Sequence, residues 1–389
     1  MSGALENIRI IDLSRVLAGP YCTMILGDLG AEVIKVEAPD SGDETRKWGP
    51  PFQDDVSAYY LTANRNKKAI TLNLKEQEGR EVIKRLVQDS DVIINNFKTG
   101  TMERFGLGYE TLAEINPGIV YCSITGFGET GPHHYLPGYD FIIQGMSGLM
   151  SITGTAESGP QKTGVAITDV LTGMYACIGI QSALLERNSS GIGQKVDIAL
   201  YDAAVSALVN VGSSYLMSGN IPTGLGNAHA NIVPYQTFKT ADSEMVIAVG
   251  NDHQFTTLCE VLKIPQYAQD KRFRTNPDRV KQRDVLIPLL QTAFLQESTE
   301  YWYEACRKKN IPAGPIQNIQ EVEQDKQLQA RNMFITYDHP TIGQIKMIGS
   351  PLKLSRTPVT VRHHPPNLGE HNDEILQPLY EKMTHKGEN

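Results

Sequence analysis

This sequence predicts an α/β fold built on a parallel sheet, with a smaller α+β domain inserted into it. Three observations lead there. Short apolar runs alternate with amphipathic ones roughly every thirty residues through the first third of the chain. A mostly apolar helical stretch follows, starting at Asp169. Strand signals then return after about residue 331, beyond a segment of charged helices. Strands alternating with helices at that spacing imply βαβ units and a parallel sheet.

In order, NIRIIDL reads as a strand, PYCTMILGDLG as a helix ending at Gly30, and AEVIKVEAP as a second strand. KAITLNL, the amphipathic EGREVIKRLVQDS and DVIINNF repeat the unit, and YETLAEINPG with IVYCSITGFG repeats it again. Right-handed crossovers make this a Rossmann-like sheet whose strand-end loops share the edge where ligands bind. YDFIIQGMSGLM, a long helix from Asp169 to Arg187, KVDIAL and DAAVSALVNVGSSYLM complete a large domain over 1–220. These middle helices are apolar over most of their surface, so they are expected in a core or a subunit contact. NIPTGLGNAHANIVP is a connection into a small domain at 221–330, which opens with the hairpin YQTFKTADSEMVIAVG. FITYDH and QIKMIG are strands of a segment, 331–389, that returns to the large domain.

The chain has 389 residues, 40% hydrophobic and 21% charged, with a formal net charge of −8. That balance is globular, and the acidic excess speaks against a sequence-independent grip on nucleic acid. Basic residues are scattered, which leaves membrane-surface binding without support, and no uninterrupted apolar run nears the ~18 residues of a membrane span. The five cysteines are odd in number and form no Cys-x-x-Cys pair, which fits a reducing compartment. The opening MSGALENIRIIDLS lacks a basic region followed by an apolar one. A cytoplasmic location is expected, where the Asn188-Ser189-Ser190 sequon has no role.

Several chemistries lack their motif. The loop after the first strand offers Gly19 but no Gly-x-Gly-x-x-Gly, although Glu37 ends the second strand where a ribose-binding acid would stand. No Walker pattern is present. His133-His134 and His363-His364 are adjacent pairs, which do not share a helix face, so they read as solvated loop histidines and no metal site is expected. Ser147 in GMSGL lacks the spacing of a nucleophile elbow. There remains Asp169 in TGVAITDVLTG, a single carboxylate among small and apolar residues. It suits an N-cap of the helix that follows. It also suits a catalytic carboxylate, since a helix N-terminus stabilises negative charge, and local pattern leaves both readings open.

The stretches LSRVLAGPYCTMILGDLGAEVIKVE, GDETRKWGPPF, NRNKKAITLNLK, DVIINNFKTGTMERFGL, GYDFIIQGMSGLM, TGVAITDVLTGMYA and LGEHNDEIL resemble the class III CoA-transferases, of the formyl-CoA transferase and carnitine-CoA-transferase type. The resemblance covers nearly the whole chain. It implies that Asp169 is the nucleophile, passing through an aspartyl-CoA thioester, and that coenzyme A is a co-substrate with no permanently bound cofactor. It places CoA contacts on Val16, Leu72, Lys75, Asn96, Phe97, Lys98, Arg104 and Tyr139. Substrate contacts fall on Leu17, Trp48 and Tyr59, and on Gly250 and Asn251 of a loop resembling the family's mobile glycine loop. Leu17 stands where oxalate-using members carry glutamine, which speaks against formate or oxalate as substrate; kinship with the dicarboxylate-using branch implies succinyl-CoA as donor and a small dicarboxylic acid as acceptor. The partners implied are an acyl-CoA, a free carboxylic acid and a second copy in an interlocked homodimer. Two alternatives are an acyl-CoA racemase of the same superfamily and a non-catalytic CoA-binding protein. The racemases resemble a Gly-His-Asp pattern where this chain reads Gly138-Tyr139-Asp140, and tyrosine is a poor replacement for a histidine base near neutral pH.

Overall fold

The computed structural model describes residues 3–385, which divide into two compact units. One takes in Met1–Met150, Lys162–Asn220 and Gln329–Asn389, the other Ser151–Gln161 and Ile221–Leu328. In the first unit, β1 (Arg9–Asp12), β2 (Glu32–Glu37), β3 (Lys67–Thr71), β4 (Val92–Asn95), β5 (Val120–Thr125) and β6 (Lys195–Ala199) form one sheet. The order is β3-β2-β1-β4-β5-β6, and every neighbouring pair is parallel. This is the doubly wound order, with its switch point between β1 and β4.

Alternate residues of the strands serve opposite cores, as a sheet covered on both faces requires. Ile10 packs with α1 (Ala18–Asp28), whereas its neighbour Ile11 packs with α2 (Gln77–Gln88), where Val82, Ile83, Leu86 and Val87 form the apolar stripe. On the α1 side lie α3 (Asp140–Met146), the 24-residue α4 (Ile167–Ser190) and α5 (Leu200–Ser206). A Cβ on Gly173 would stand 2.6 Å from the Ala18 carbonyl oxygen, so glycine there lets α4 lie directly on α1. By length and hydropathy α4 could cross a membrane, contrary to the expectation that no apolar stretch would qualify. Here Ala176, Cys177, Ile180 and Leu184 face the core, while Met174, Ile178 and Leu185 are exposed. The apolar run after β6 divides: α5 ends at Ser206, and α6 (Val209–Ser218) follows with no buried residue.

The second unit is built on an antiparallel sheet of β7 (Tyr235–Lys239), β8 (Glu244–Ala248) and β9 (Ala313–Pro315). Its core stacks Phe238 on Phe294, and Trp302 donates its indole N–H to the Phe294 carbonyl at 2.8 Å. The sequence reading assigned residues 151–161 to the large domain, but they group with this unit. The amide of Gly226 donates to the Gly154 carbonyl at 2.7 Å, and a Cβ on Gly224 would meet that same carbonyl oxygen at 2.6 Å.

Back in the first unit, β10 (Phe334–His339) and β11 (Gly343–Ile348) form a hairpin, and the chain then runs along edge strand β3. The run Asn64-Arg65-Asn66-Lys67 is entirely buried and anchors that return. Arg65 holds Asp28 through two hydrogen bonds of 2.9 and 2.6 Å, and Asn66 accepts from the Arg362 amide at 2.6 Å. His363 and His364 are not the solvated residues expected. Both are half-buried here, with the His363 carbonyl taking the Asn66 amide and the His364 ring paired with Glu370.

Candidate functional site

A cavity opens at the carboxyl ends of β1 and β4, the switch point of the sheet. Val16 and Leu17 come from the loop after β1, Asn96 and Lys98 from the loop after β4, Tyr139 from the entry to α3, and Asp169 from the first turn of α4. Three separate segments therefore converge on a carboxylate carried by a fourth.

The loop after β1 is held by buried charge. Asp12 accepts from the Ser14 amide at 2.9 Å, from the Ser14 hydroxyl and from Thr23 at 2.6 Å, and pairs with Lys67 at 3.1 Å. Lys35 donates to the Ser14 carbonyl at 3.1 Å and pairs with Asp43 at 2.9 Å, both side chains fully buried. Asp43 also accepts from the Val16 amide at 3.2 Å and from Thr45. Burial works to raise the Asp43 carboxyl, but Lys35 and the Thr45 donors outweigh it and hold the group at about 2. Val16 has φ +70°, a left-handed conformation that a β-branched residue adopts only under outside constraint, and Asp43 supplies that constraint. Asn96 ties this loop to the next, accepting from the Arg15 amide at 2.9 Å and donating to its carbonyl at 2.7 Å.

Asp169 is differently placed. The N-cap of α4 is Ala166, so Asp169 lies within the first helical turn and the capping role read from the sequence is not its own. That role falls to Asp140, which accepts from the Thr168 amide at 2.9 Å and the Thr168 hydroxyl at 2.8 Å. Gln144 donates to Asp140 at 2.8 Å and accepts from the Thr163 amide at 3.0 Å, fixing the turn before the helix. The start of α3 is itself set by a glycine pair. A Cβ on Gly126 would meet the Gly138 Cα at 2.5 Å, so the loop after β5 and the entry to α3 touch backbone to backbone. Among the described residues, the Asp169 carboxylate has no hydrogen-bond or ion-pair partner. Burial, and then the charge of Asp140, push it up to about 7. Such a carboxylate is a poorly solvated, unneutralised nucleophile or base.

Of the other residues expected at the site, Phe97 lies under Arg15, 5.5 Å from the guanidinium carbon to the ring centroid. Lys98 is exposed, without an ion-pair partner among the described residues, and Tyr139 is 62% exposed. Leu17 forms an apolar wall at 8% exposure. Tyr59 packs edge-on to Trp48 at 5.1 Å; burial pushes its hydroxyl up, and the carboxylates of Asp169 and Asp140 add to that shift. Leu72, Lys75 and Arg104 are not in the lining of the cavity: Leu72 is in the core, while Lys75 and Arg104 are exposed. Gly250 and Asn251 belong to the second unit, where Asn251 caps the helix Asp252–Val261 by accepting from Gln254 at 2.9 Å. Among the described residues no cluster of His, Cys, Asp or Glu could hold a metal ion.

Sequence reasoning missed Asp12, Lys35, Asp43 and Lys67 as a set. The available signal was a lysine in the middle of the strand EVIKVE and another opening the strand KKAIT, with aspartates close to strand ends. It missed the capping by Asp140 because that contact joins residues 28 positions apart.

A family model, CoA-transferase family III, matches residues 5–372. A succinate–glutarate CoA-transferase of Agrobacterium fabrum is 44% identical over 96% of this chain and 95% of its own length. The succinyl-CoA:glutarate CoA-transferase of Homo sapiens is 42% identical over 96% of this chain and 85% of its own. The crystal structure of a CAIB/BAIF family protein from Brucella suis superposes with a TM-score of 0.87 at 44% identity, covering 97% of this chain and 100% of that one.

Proposed function

The chain belongs to CoA-transferase family III, and from that premise we propose that it moves CoA from succinyl-CoA to a small dicarboxylic acid of the glutarate kind, with Asp169 as covalent nucleophile. The observation that carries the reading is the unpaired Asp169 carboxylate in the cavity at the switch point. Moving CoA between two carboxylic acids is nearly isoenergetic, so the reaction needs a nucleophile rather than an energy source. An Asp169 oxygen attacks the thioester carbonyl and the carbon–sulfur bond breaks, leaving a mixed anhydride and CoA thiolate. The thiolate attacks the Asp169 acyl carbon, releasing succinate and forming the aspartyl-CoA thioester. The acceptor carboxylate then attacks that thioester, and the expelled thiolate returns to the acceptor's acyl carbon, restoring Asp169. One hard exchange becomes several easier ones.

Val16, Phe97, Lys98 and Tyr139 border this cavity or its loops and suit the CoA contacts, with Lys98 free to meet a phosphate. Leu17, Trp48 and Tyr59 suit the acyl pocket. A homodimer is part of the proposal. It is supported by the α6 surface, where Leu216 and Met217 are 82% and 90% exposed, an apolar patch suited to a protein contact.

The test is enzyme incubated with succinyl-CoA without acceptor, then digested and mapped by mass spectrometry. A CoA adduct on the peptide holding Asp169, reducible by borohydride, is expected; an adduct elsewhere, or none, overturns the assignment. Assayed against a panel of free acids, glutarate should outrun oxalate, because the Leu17 wall offers no hydrogen bond to so short a diacid. Equal turnover with oxalate would remove Leu17 from the specificity argument.

A further inference from the structure

We propose that Asp140 is a positioning residue for the transfer: its carboxylate pins the first turn of α4 and so aims Asp169 into the cavity. The inference rests on Asp169 being the nucleophile and adds a residue acting through it. The geometry is specific. One Asp140 oxygen takes both the amide and the hydroxyl of Thr168, the residue immediately before Asp169. The other takes the Gln144 amide, whose own oxygen holds Thr163 at the far side of the turn. Thr172 donates to the Thr168 carbonyl at 2.6 Å, so Thr168 is held from both sides along the helix. Because Asp140 satisfies the helix end, Asp169 is released from capping and its carboxylate stays free for attack.

Asp140 also sets the charge that Asp169 meets. The ionisable groups around Asp169 are Asp140 on α3, Tyr59 on the helix Ala58–Thr62, and Arg15, Glu44, Lys98, His134, Tyr135 and Tyr139, which share its cavity. Arg15 is engaged with Glu44 at 2.8 Å, and Lys98 makes no ion pair with Asp169, so Asp140 acts on Asp169 as a like charge. A carboxylate held next to another carboxylate takes a proton more readily and attacks more readily once that proton is gone.

Two variants separate orientation from charge. Asp140→Ala removes the acceptor, and a loss of about 10²-fold in kcat with KM changed no more than about threefold is expected, since a small misplacement of a reacting group is felt mainly in the chemical step. Asp140→Asn keeps an acceptor for Thr168 but drops the charge, so the acidic limb of kcat/KM should move down by about one pH unit with most of kcat retained. The adduct on Asp169 should still form in both, more slowly in Asp140→Ala. Wild-type kcat in Asp140→Ala overturns the positioning role. An unmoved acidic limb in Asp140→Asn overturns the electrostatic one, and this holds even if Asp140→Ala fails to fold. Failure of the wild-type protein to form an adduct on Asp169 is a separate outcome, and it removes the nucleophile on which this inference stands.

Discussion

The loop after β1 and the first turn of α4 both border the same cavity, and the carboxylates that hold the one and occupy the other are treated in opposite ways. Asp12 and Asp43 are each matched with a buried lysine and further donors, and Asp43 is held at about 2. Asp169 has no such partner, sits beside another carboxylate and is pushed up to about 7. Both environments are low in water. What differs is compensation: paired buried charges define a rigid loop, and the unpaired one is left reactive. The strain at Val16 belongs to the paired side, because a left-handed valine persists only where its surroundings over-determine it.

The largest expected effect comes from the unpaired side. Asp169→Asn keeps size and hydrogen-bonding capacity but cannot form the anhydride, so transfer should fall by ~10⁴-fold or more, as happens when a covalent nucleophile is removed. Steady-state turnover with succinyl-CoA and glutarate measures it. Activity within tenfold of wild type would erase the distinction between the two regions.

Next comes the paired side. Lys67→Met leaves Asp12 buried beside Ser14 and Thr23 without its nearest cation, and stability should fall by about 3–5 kcal/mol. The urea midpoint reads this directly. A change under about 1 kcal/mol would mean that the ion pair does not organise the loop.

The pH profile is a subtler discriminator. A nucleophile must be ionised, so kcat/KM should rise through an apparent pKa of about 7 and level above it. An acidic limb near 4, the ordinary carboxylate range, would mean that Asp169 is as well solvated as a surface aspartate.

How much of this was legible in the sequence follows from the range of the interactions. The sheet was readable because IRIID, VIINN and VYCSIT are apolar runs whose burial on both faces is a local property. The boundary at 151–161 was not, since it depends on backbone contacts with Gly224 and Gly226 far along the chain. Asp169 stood out as a lone carboxylate before an apolar helix, but its local pattern also fitted a cap. Only the distant Asp140 decides between those roles. Leu72 shows the converse: a position carried over by family resemblance has its side chain in the core, which no motif could reveal.

The smallest predicted effect is the most direct measure of the comparison, because it concerns stability at a residue argued to serve chemistry. A carboxyl whose folded pKa is about 7, against 3.8 unfolded, binds its proton more tightly in the folded state. Folding is then not penalised below the unfolded value, increasingly penalised as pH rises from there to about 7, and penalised by a constant amount above it. Asp169→Asn removes that penalty. Discounted for the partial solvent access of the site, the variant should be more stable than wild type by about 1–2 kcal/mol at pH ~8, with the gain shrinking toward zero near pH ~4. Asp43→Asn should do the opposite, losing stability at neutral pH, because its carboxyl is stabilised when ionised and gives up that contribution only as pH falls through about 2. Thermal unfolding of both variants across this pH range tests the two signs together. If Asp169→Asn is instead destabilised by a pH-independent ~1 kcal/mol, as the loss of a helix cap would be, then Asp169 is a structural carboxylate like Asp43 and the contrast between the two regions collapses.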